Sequence, residues 1–334
     1  MNSTRRARKS ILALALAPLV ASGCSEADTL PTGPGDPETP SAFGTAGRIA
    51  FASTRDGEPH VYVIDAGGAV QRLVRGQEPA WSPDGTQIAF AVHEQTLFGT
   101  SDVRVIDIDG TNERVLATDA ASPAWSPDGA RIAFVRSPDI YVVNADGSGL
   151  ALLLDTKAVQ LGTGIGSSEL VSLSQPTWSP DGTSLAFTVF QQGQMRPDEM
   201  YLAIAEADGS MPRTLSPLAA GFGPAWSPDG TRLAFASGLH PRDPSVIATV
   251  APGGGEPVHA HGYPGWDPDW SPDGTTIVFS RFRDGCAANR DPCPSEIWVA
   301  EVASGRLARL VPAADDPARS DYLDFDPAWS TARE

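Results

Sequence analysis

The sequence predicts an all-β protein, a six-bladed β-propeller of four-stranded antiparallel blades with one blade closed by both termini. Three observations predict it. A Trp-Ser pair recurs at Trp81, Trp125, Trp178, Trp226, Trp270 and Trp329, with spacings of 44, 53, 48, 44 and 59 residues. Five of the six continue as Trp-Ser-Pro-Asp-Gly, followed by a short apolar run. The 33 glycines and 30 prolines in 334 residues favour turns over long helices, and no stretch carries a sustained 3.6-residue apolar period.

Each repeat reads as four strands in a fixed order. The first ends in the tryptophan. Ser-Pro-Asp-Gly then supplies a tight turn: Pro presets φ at its second position, Asp is tolerated at the third, and Gly takes the left-handed position after it. The second strand is the apolar run, as in "QIAF" (Gln87–Phe90) or "RLAF" (Arg232–Phe235). A variable stretch leads to a third strand such as "IYVVN" (Ile140–Asn144). A turn such as "ADGS" (Ala145–Ser148) and a fourth strand such as "ERVLA" (Glu113–Ala117) complete the unit. The ends complement one another. "GRIAFAS" (Gly47–Ser53) is a second strand without a first, and "DPAWS" (Asp326–Ser330) is a first strand without a second. Joined, they close a ring of six blades and leave no sheet edge open. The tryptophans are expected to wedge between adjacent blades.

This repeat resembles the WD40-like repeat of the TolB propeller family, often called PD40, over Gly47 to Ser330. The resemblance implies the six-bladed fold and an envelope setting. In TolB a propeller pairs with an N-terminal α/β domain, and the channel face engages an outer-membrane lipoprotein. Here only a linker is read before Gly47, a departure from TolB that puts the Tol–Pal role in doubt. Propellers also accompany peptidases of the prolyl-oligopeptidase type, but no hydrolase domain is read here.

The first residues resemble a bacterial lipoprotein signal. Arg5, Arg6, Arg8 and Lys9 precede a short apolar run, Ile11–Val20, and "ASGC" ends at Cys24. The resemblance implies cleavage before Cys24, its acylation, and, with Ser25 following, sorting to the outer membrane. Ordinary secretory cleavage nearby is the alternative. The expected organisation is a signal peptide over 1–23, a lipidated Pro/Gly/Thr-rich tether over 24–46, the propeller over 47–330 and a tail over 331–334. Cys286 and Cys293 flank a short loop and suggest a local disulfide; a metal pair is the weaker reading, with no His or third Cys near in sequence.

Net charge is −17, and loss of the four leader cations takes it to −21. That balance speaks against nucleic acid as a partner. Five Ser-Asp pairs spread around a ring, none with a histidine beside it, read as construction and not as catalysis. No catalytic residue, cofactor or metal is assigned, and a monomer is expected.

Strand order places the uniform turns on one face and the variable stretches, among them Val92–Ser101, Asp155–Gln175, Ala260–Asp267 and Phe282–Pro294, on the other. The long-loop face is therefore the candidate binding face. His60, His93, His240, His259 and His261 map to it; converging, they could hold a metal or act as acid and base, and otherwise they are polar loop residues. Glu78, Asp267, Asp269, Asp324 and Asp326 lie at or before first strands that line the channel, and form either a site for a cation or basic partner or a solvated acidic rim. The expected function is non-enzymatic binding of an envelope protein, peptide or glycan by a lipid-anchored propeller. The alternative is a metal-dependent polysaccharide lyase or hydrolase using the histidines of the same face.

Overall fold

Apolar runs of five to seven residues, each cut by a glycine-bearing turn, can bury their faces only by stacking sheet on sheet, and the computed structural model does this in a ring. It describes residues 47–93, 101–163, 170–192, 199–215, 221–238, 245–283, 294–310 and 322–332. Cys24, Cys286, Cys293 and His240 lie outside the described residues.

Six four-stranded antiparallel sheets follow one another. Blade 1 is β24 (Asp324–Trp329), β1 (Ile49–Ser53), β2 (His60–Ile64) and β3 (Val70–Arg75), ordered from the axis outward. Blade 2 is β4 (Gln77–Trp81), β5 (Gln87–His93), β6 (Ser101–Asp107) and β7 (Arg114–Thr118). Blade 3 is β8 (Ala121–Trp125), β9 (Arg131–Arg136), β10 (Asp139–Asn144) and β11 (Ala151–Leu154). After a short helix, α1 (Thr156–Thr163), blade 4 is β12 (Leu170–Trp178), β13 (Ser184–Gln192), β14 (Glu199–Glu206) and β15 (Arg213–Thr214). Blade 5 is β16 (Gly221–Trp226), β17 (Leu233–Ser237), β18 (Val246–Val250) and β19 (Val258–Pro264). Blade 6 is β20 (Trp266–Trp270), β21 (Thr276–Phe282), β22 (Ser295–Glu301) and β23 (Leu307–Arg309).

The two ends of the chain meet as the repeat requires. Ile49 pairs with Trp329 and Ala50 with Ala328, so β24 supplies the first strand that β1 lacks. Arg55, just after β1, carries its Nη2 to both carboxylate oxygens of buried Asp324, at 2.8 and 2.9 Å. The same guanidinium stands over the rings of Phe51, Tyr62 and Tyr322.

The core lies between blades. The second strands contribute Phe51, Phe90, Phe134, Phe187, Phe235 and Phe279, all fully buried. One cluster joins Ile49 and Phe51 of blade 1 to Val278 and Ile297 of blade 6. The tryptophans fill the seams: Trp81 Nε1 donates to Ala328 O of blade 1 at 3.1 Å, and Trp226 Nε1 to Thr177 O of blade 4 at 3.3 Å.

Two stretches read as variable loops carry regular structure. Part of Asp155–Gln175 forms α1 and the start of a nine-residue β12. Most of Ala260–Asp267 belongs to β19 and β20. Alternation was hidden in "VHAHGYP", where the histidines dilute the apolar pattern that marks a strand.

Candidate functional site

The innermost strands set the site. In each, the residue before the Pro of the repeat has positive φ: Glu78 (53°), Ser122 (50°), Gln175 (49°), Gly223 (65°), Asp267 (49°) and Asp326 (50°). For a non-glycine residue that conformation costs roughly 1–2 kcal/mol, and residues before proline ordinarily prefer extended backbone. A register shift against the second strand accompanies each, between Gln77 and Ala80 in blade 2 and between Trp266 and Asp269 in blade 6, for example. The bulge turns six equivalent residues toward one another around the channel, near the long-loop end of the first strands.

Their side chains then link blade to blade. Asp326 Oδ2 accepts Glu78 N–H at 3.2 Å, and Glu78 Oε2 accepts Ser122 N–H at 2.6 Å. Gln175 Oε1 accepts Gly223 N–H at 3.0 Å, while its Nε2 donates to Asp267 Oδ1 at 3.2 Å. Asp267 and Asp326 share a hydrogen bond of their own, which requires a proton on one of them. Burial pushes the Asp267 carboxyl up to about 6, with Glu78 adding to the rise; the hydrogen bonds from Asp326 and Gln175 oppose it. Burial also raises Asp326 well above the ordinary range, and the charges of Asp267 and Glu78 add to it. The ring is thus a proton-sharing carboxylate pair beside a third carboxylate, joined to neutral donors on the opposite arc.

The structure brings Glu78, Asp267 and Asp326 together and sets Asp269 and Asp324 apart. Asp269 Oδ2 accepts Trp329 N–H at 2.6 Å and so ties blade 6 to blade 1; burial raises it to about 6. Asp324 is the partner of Arg55. Ser122, Gln175 and Gly223 were not singled out in the sequence, yet they complete the ring. The available signal was positional: each stands directly before the Pro of a repeat.

The described histidines fall on three blades. His60 begins β2, with Nδ1 2.8 Å from Glu58 O. His93 ends β5, accepts from Gln77 Nε2 at 2.9 Å, and borders a cavity of about 130 Å³ shared with Glu58 and Arg75. His259 and His261 stand on β19, the outermost strand of blade 5, where His259 pairs with Ala248. Among the described residues, no group of three or more His, Cys, Asp or Glu is arranged to hold a metal ion. No described helix is long and apolar enough to cross a membrane.

Six blades whose innermost strands end in one Trp-bearing turn define a six-bladed β-propeller protein. Residues 95–211 match the family model of the dipeptidyl peptidase IV N-terminal region. A TolB homologue from Chlorobium luteolum is 30% identical over 155 residues, which is 44% of this chain and 32% of that protein. The chain therefore spans about a third of the length of that curated relative. TolB from Acinetobacter baumannii superposes with a TM-score of 0.62 at 16% identity, covering 86% of this chain and 69% of that one. An oligogalacturonate lyase from Vibrio parahaemolyticus reaches 0.51 at 15% identity, covering 86% and 80%. The chain is thus a six-bladed propeller whose fold is similar to that of TolB.

Proposed function

We propose that the protein is a non-enzymatic binding propeller of the bacterial cell envelope, lipid-anchored through Cys24, which takes a protein, peptide or glycan on its long-loop face. The observation that carries this reading is the ring at the long-loop end of the channel. Glu78 and the Asp267–Asp326 pair present carboxyl oxygens there, and the bulged backbone is strained in the five blades whose residue is not glycine. A partner that projects a basic or hydrogen-bond-donating segment into the channel matches this chemistry. The similarity to TolB and the leader-like first residues support the envelope setting; residues 24–46 serve as the tether in this reading, and no disulfide or metal is needed for it.

The test is capture of partners from envelope extract by the wild type and by a variant carrying Glu78→Gln, Asp267→Asn and Asp326→Asn. Asp269 is left intact, because its neutralisation acts on the blade 6–blade 1 seam. Loss of a specific partner with the variant is expected; equal recovery from both proteins would overturn the channel-mouth site. In the same cells Cys24→Ser is expected to move the protein to the soluble fraction, and unchanged membrane association would overturn the anchor.

The lyase reading draws only on the fold shared with the oligogalacturonate lyase. It needs histidines from several blades at one point, and among the described residues no group of three or more His, Cys, Asp or Glu is arranged to hold a metal ion.

A further inference from the structure

Two of the seams between blades carry the same device, an arginine stacked on the tryptophan of the next blade. The residue involved is the one before the apolar run of the second strand. In blade 1 it is Arg48, whose guanidinium stands 5.1 Å from the Trp81 ring centre while Nη2 donates to Gly85 O at 3.0 Å. In blade 3 it is Arg131, 5.0 Å from the Trp178 ring centre. Stacking of a planar cation on an indole face thus occurs at two seams, and at the first of them the guanidinium edge also bonds the carbonyl of the turn glycine. Blades 4, 5 and 6 carry Ser184, Arg232 and Thr276 there.

In blade 2 the residue is Gln87. Its side-chain amide is drawn to Asp107 of its own blade, Nε2 to Oδ1 at 2.6 Å. Where blade 1 holds its arginine, the seam between blades 2 and 3 instead has a cavity of about 260 Å³, lined by Trp125, Gln87, Asp84, Asp128 and Gly129. That is several times the ~30 Å³ share of one water molecule, so a long side chain can enter. The position of Gly129 repeats that of Gly85, and a side-chain atom placed on it meets nothing nearer than Pro83 at 3.8 Å, whereas on Gly85 it meets Ala332, Ser330 and Arg48 Nη2 within 3.4 Å.

The walls are negative. Asp84 and Asp128 use Oδ1 for their own turns, accepting from Ser82 at 2.6 Å and Ser126 at 2.5 Å. Those bonds hold both carboxyls below the ordinary value, so both are charged at neutral pH. Arg114 reaches the rim, donating to Ala145 O at 2.9 Å, with Asp107 and Asp146 as its counter-charges.

We propose that this cavity is a guanidinium socket on the turn face, which takes the arginine side chain of a partner polypeptide. The arginine stacks on Trp125 as Arg48 stacks on Trp81, with its donors on the Asp84 and Asp128 carboxylates and the Gly129 carbonyl. The molecule's net charge of −17 suits a basic partner. The socket lies on the face opposite the channel mouth and does not depend on what binds there.

The test follows the Trp125 indole N–H signal, assigned by its loss in Trp125→Phe, in full-length protein. Probes are N-acetyl-arginine methylamide, the matching lysine derivative, and a five-residue peptide with one central arginine, at constant ionic strength. Saturable movement with the arginine probes is expected, the lysine derivative binding at least about fivefold more weakly because it cannot stack and fork. The peptide is expected to bind more tightly than the blocked amino acid. Gln87→Arg supplies an internal arginine, as in blade 1, and is expected to abolish the response without lowering the melting temperature. Asp84→Asn with Asp128→Asn keeps the turn acceptors and is expected to weaken binding at least about fivefold. Equal response to lysine, or an unchanged response in both variants, would overturn the socket. Binding of the blocked amino acid as tightly as the peptide would overturn the polypeptide partner.

Discussion

The serine and aspartate of each Trp-Ser-Pro-Asp-Gly segment spend their chemistry on one another. Ser Oγ donates to Asp Oδ1 at 2.6 Å in Ser82–Asp84, Ser179–Asp181, Ser227–Asp229 and Ser271–Asp273, and at 2.5 Å in Ser126–Asp128. The serine oxygen also accepts the backbone N–H that opens the second strand, such as Ser184 N–H at 2.9 Å, and the glycine N–H closes the turn on the serine carbonyl. A nucleophile needs a base to take its proton; here the proton already points at a carboxylate held low by that very bond. Ser179→Ala is expected to lower stability by about 1–2 kcal/mol, because a buried acceptor is removed and Ser184 N–H loses its partner. It is also expected to raise the Asp181 carboxyl toward its ordinary value. Denaturant unfolding and carbon-detected titration of Asp181 check the two parts; an unmoved Asp181 would contradict the turn-locking role.

At the scale of the element, the sequence announced strands and turns wherever alternation and turn residues coincided, and the five complete repeats made the blades legible. The closing blade was legible too, since a second strand without a first and a first without a second have one economical solution. The channel ring was not. Its six members differ in side chain, from Gly223 to Glu78, and what they share is a left-handed backbone before proline, which composition and period do not reveal. The histidines suggested loop chemistry by residue type, while the structure places two of them, His259 and His261, at positions of the strand β19. The closure itself depends on one buried pair. Arg55→Ala would leave the Asp324 carboxylate, 2% exposed, without its cation and would uncover three aromatic rings. A loss of about 3–5 kcal/mol is expected, the range for breaking a buried ion pair on one side. Because the pair joins the two ends of the chain, hydrogen exchange is expected to rise first in β1 and β24. A uniform rise across all blades would show that the clasp is not local.

Over the whole molecule, two populations of carboxyl groups act in separate pH windows. The turn aspartates, held below their ordinary value by hydrogen bonds, support the fold above about pH 4 and lose that support as they protonate. Asp267, Asp269 and Asp326 do the opposite. Burial raises them above the value of 3.8 that they take when unfolded, so the folded ring holds protons that the unfolded chain has released. Their contribution is complete below about pH 4 and declines as pH rises through 6. Stability is therefore expected to peak in mildly acidic solution and to fall toward neutrality, with mutual repulsion in so acidic a protein adding to the fall. Asp326→Asn separates the ring from that background. Asparagine tolerates the left-handed backbone, and its Oδ1 can still accept Glu78 N–H. With neither a charge to bury nor a proton to hold beside Asp267 and Glu78, the variant is expected to be more stable than the wild type at pH 7.5 and to show little difference at pH 4.5. Thermal unfolding at pH 4.5, 6.0 and 7.5 reads this as a difference between the two proteins that opens with pH. A constant difference at all three values would mean that position 326 acts by packing and hydrogen bonding alone. A difference that opens as expected, together with unchanged capture of the channel-mouth partner by Asp326→Asn alone, would place the binding charge on Glu78 and Asp267 and leave Asp326 as the residue that holds the shared proton.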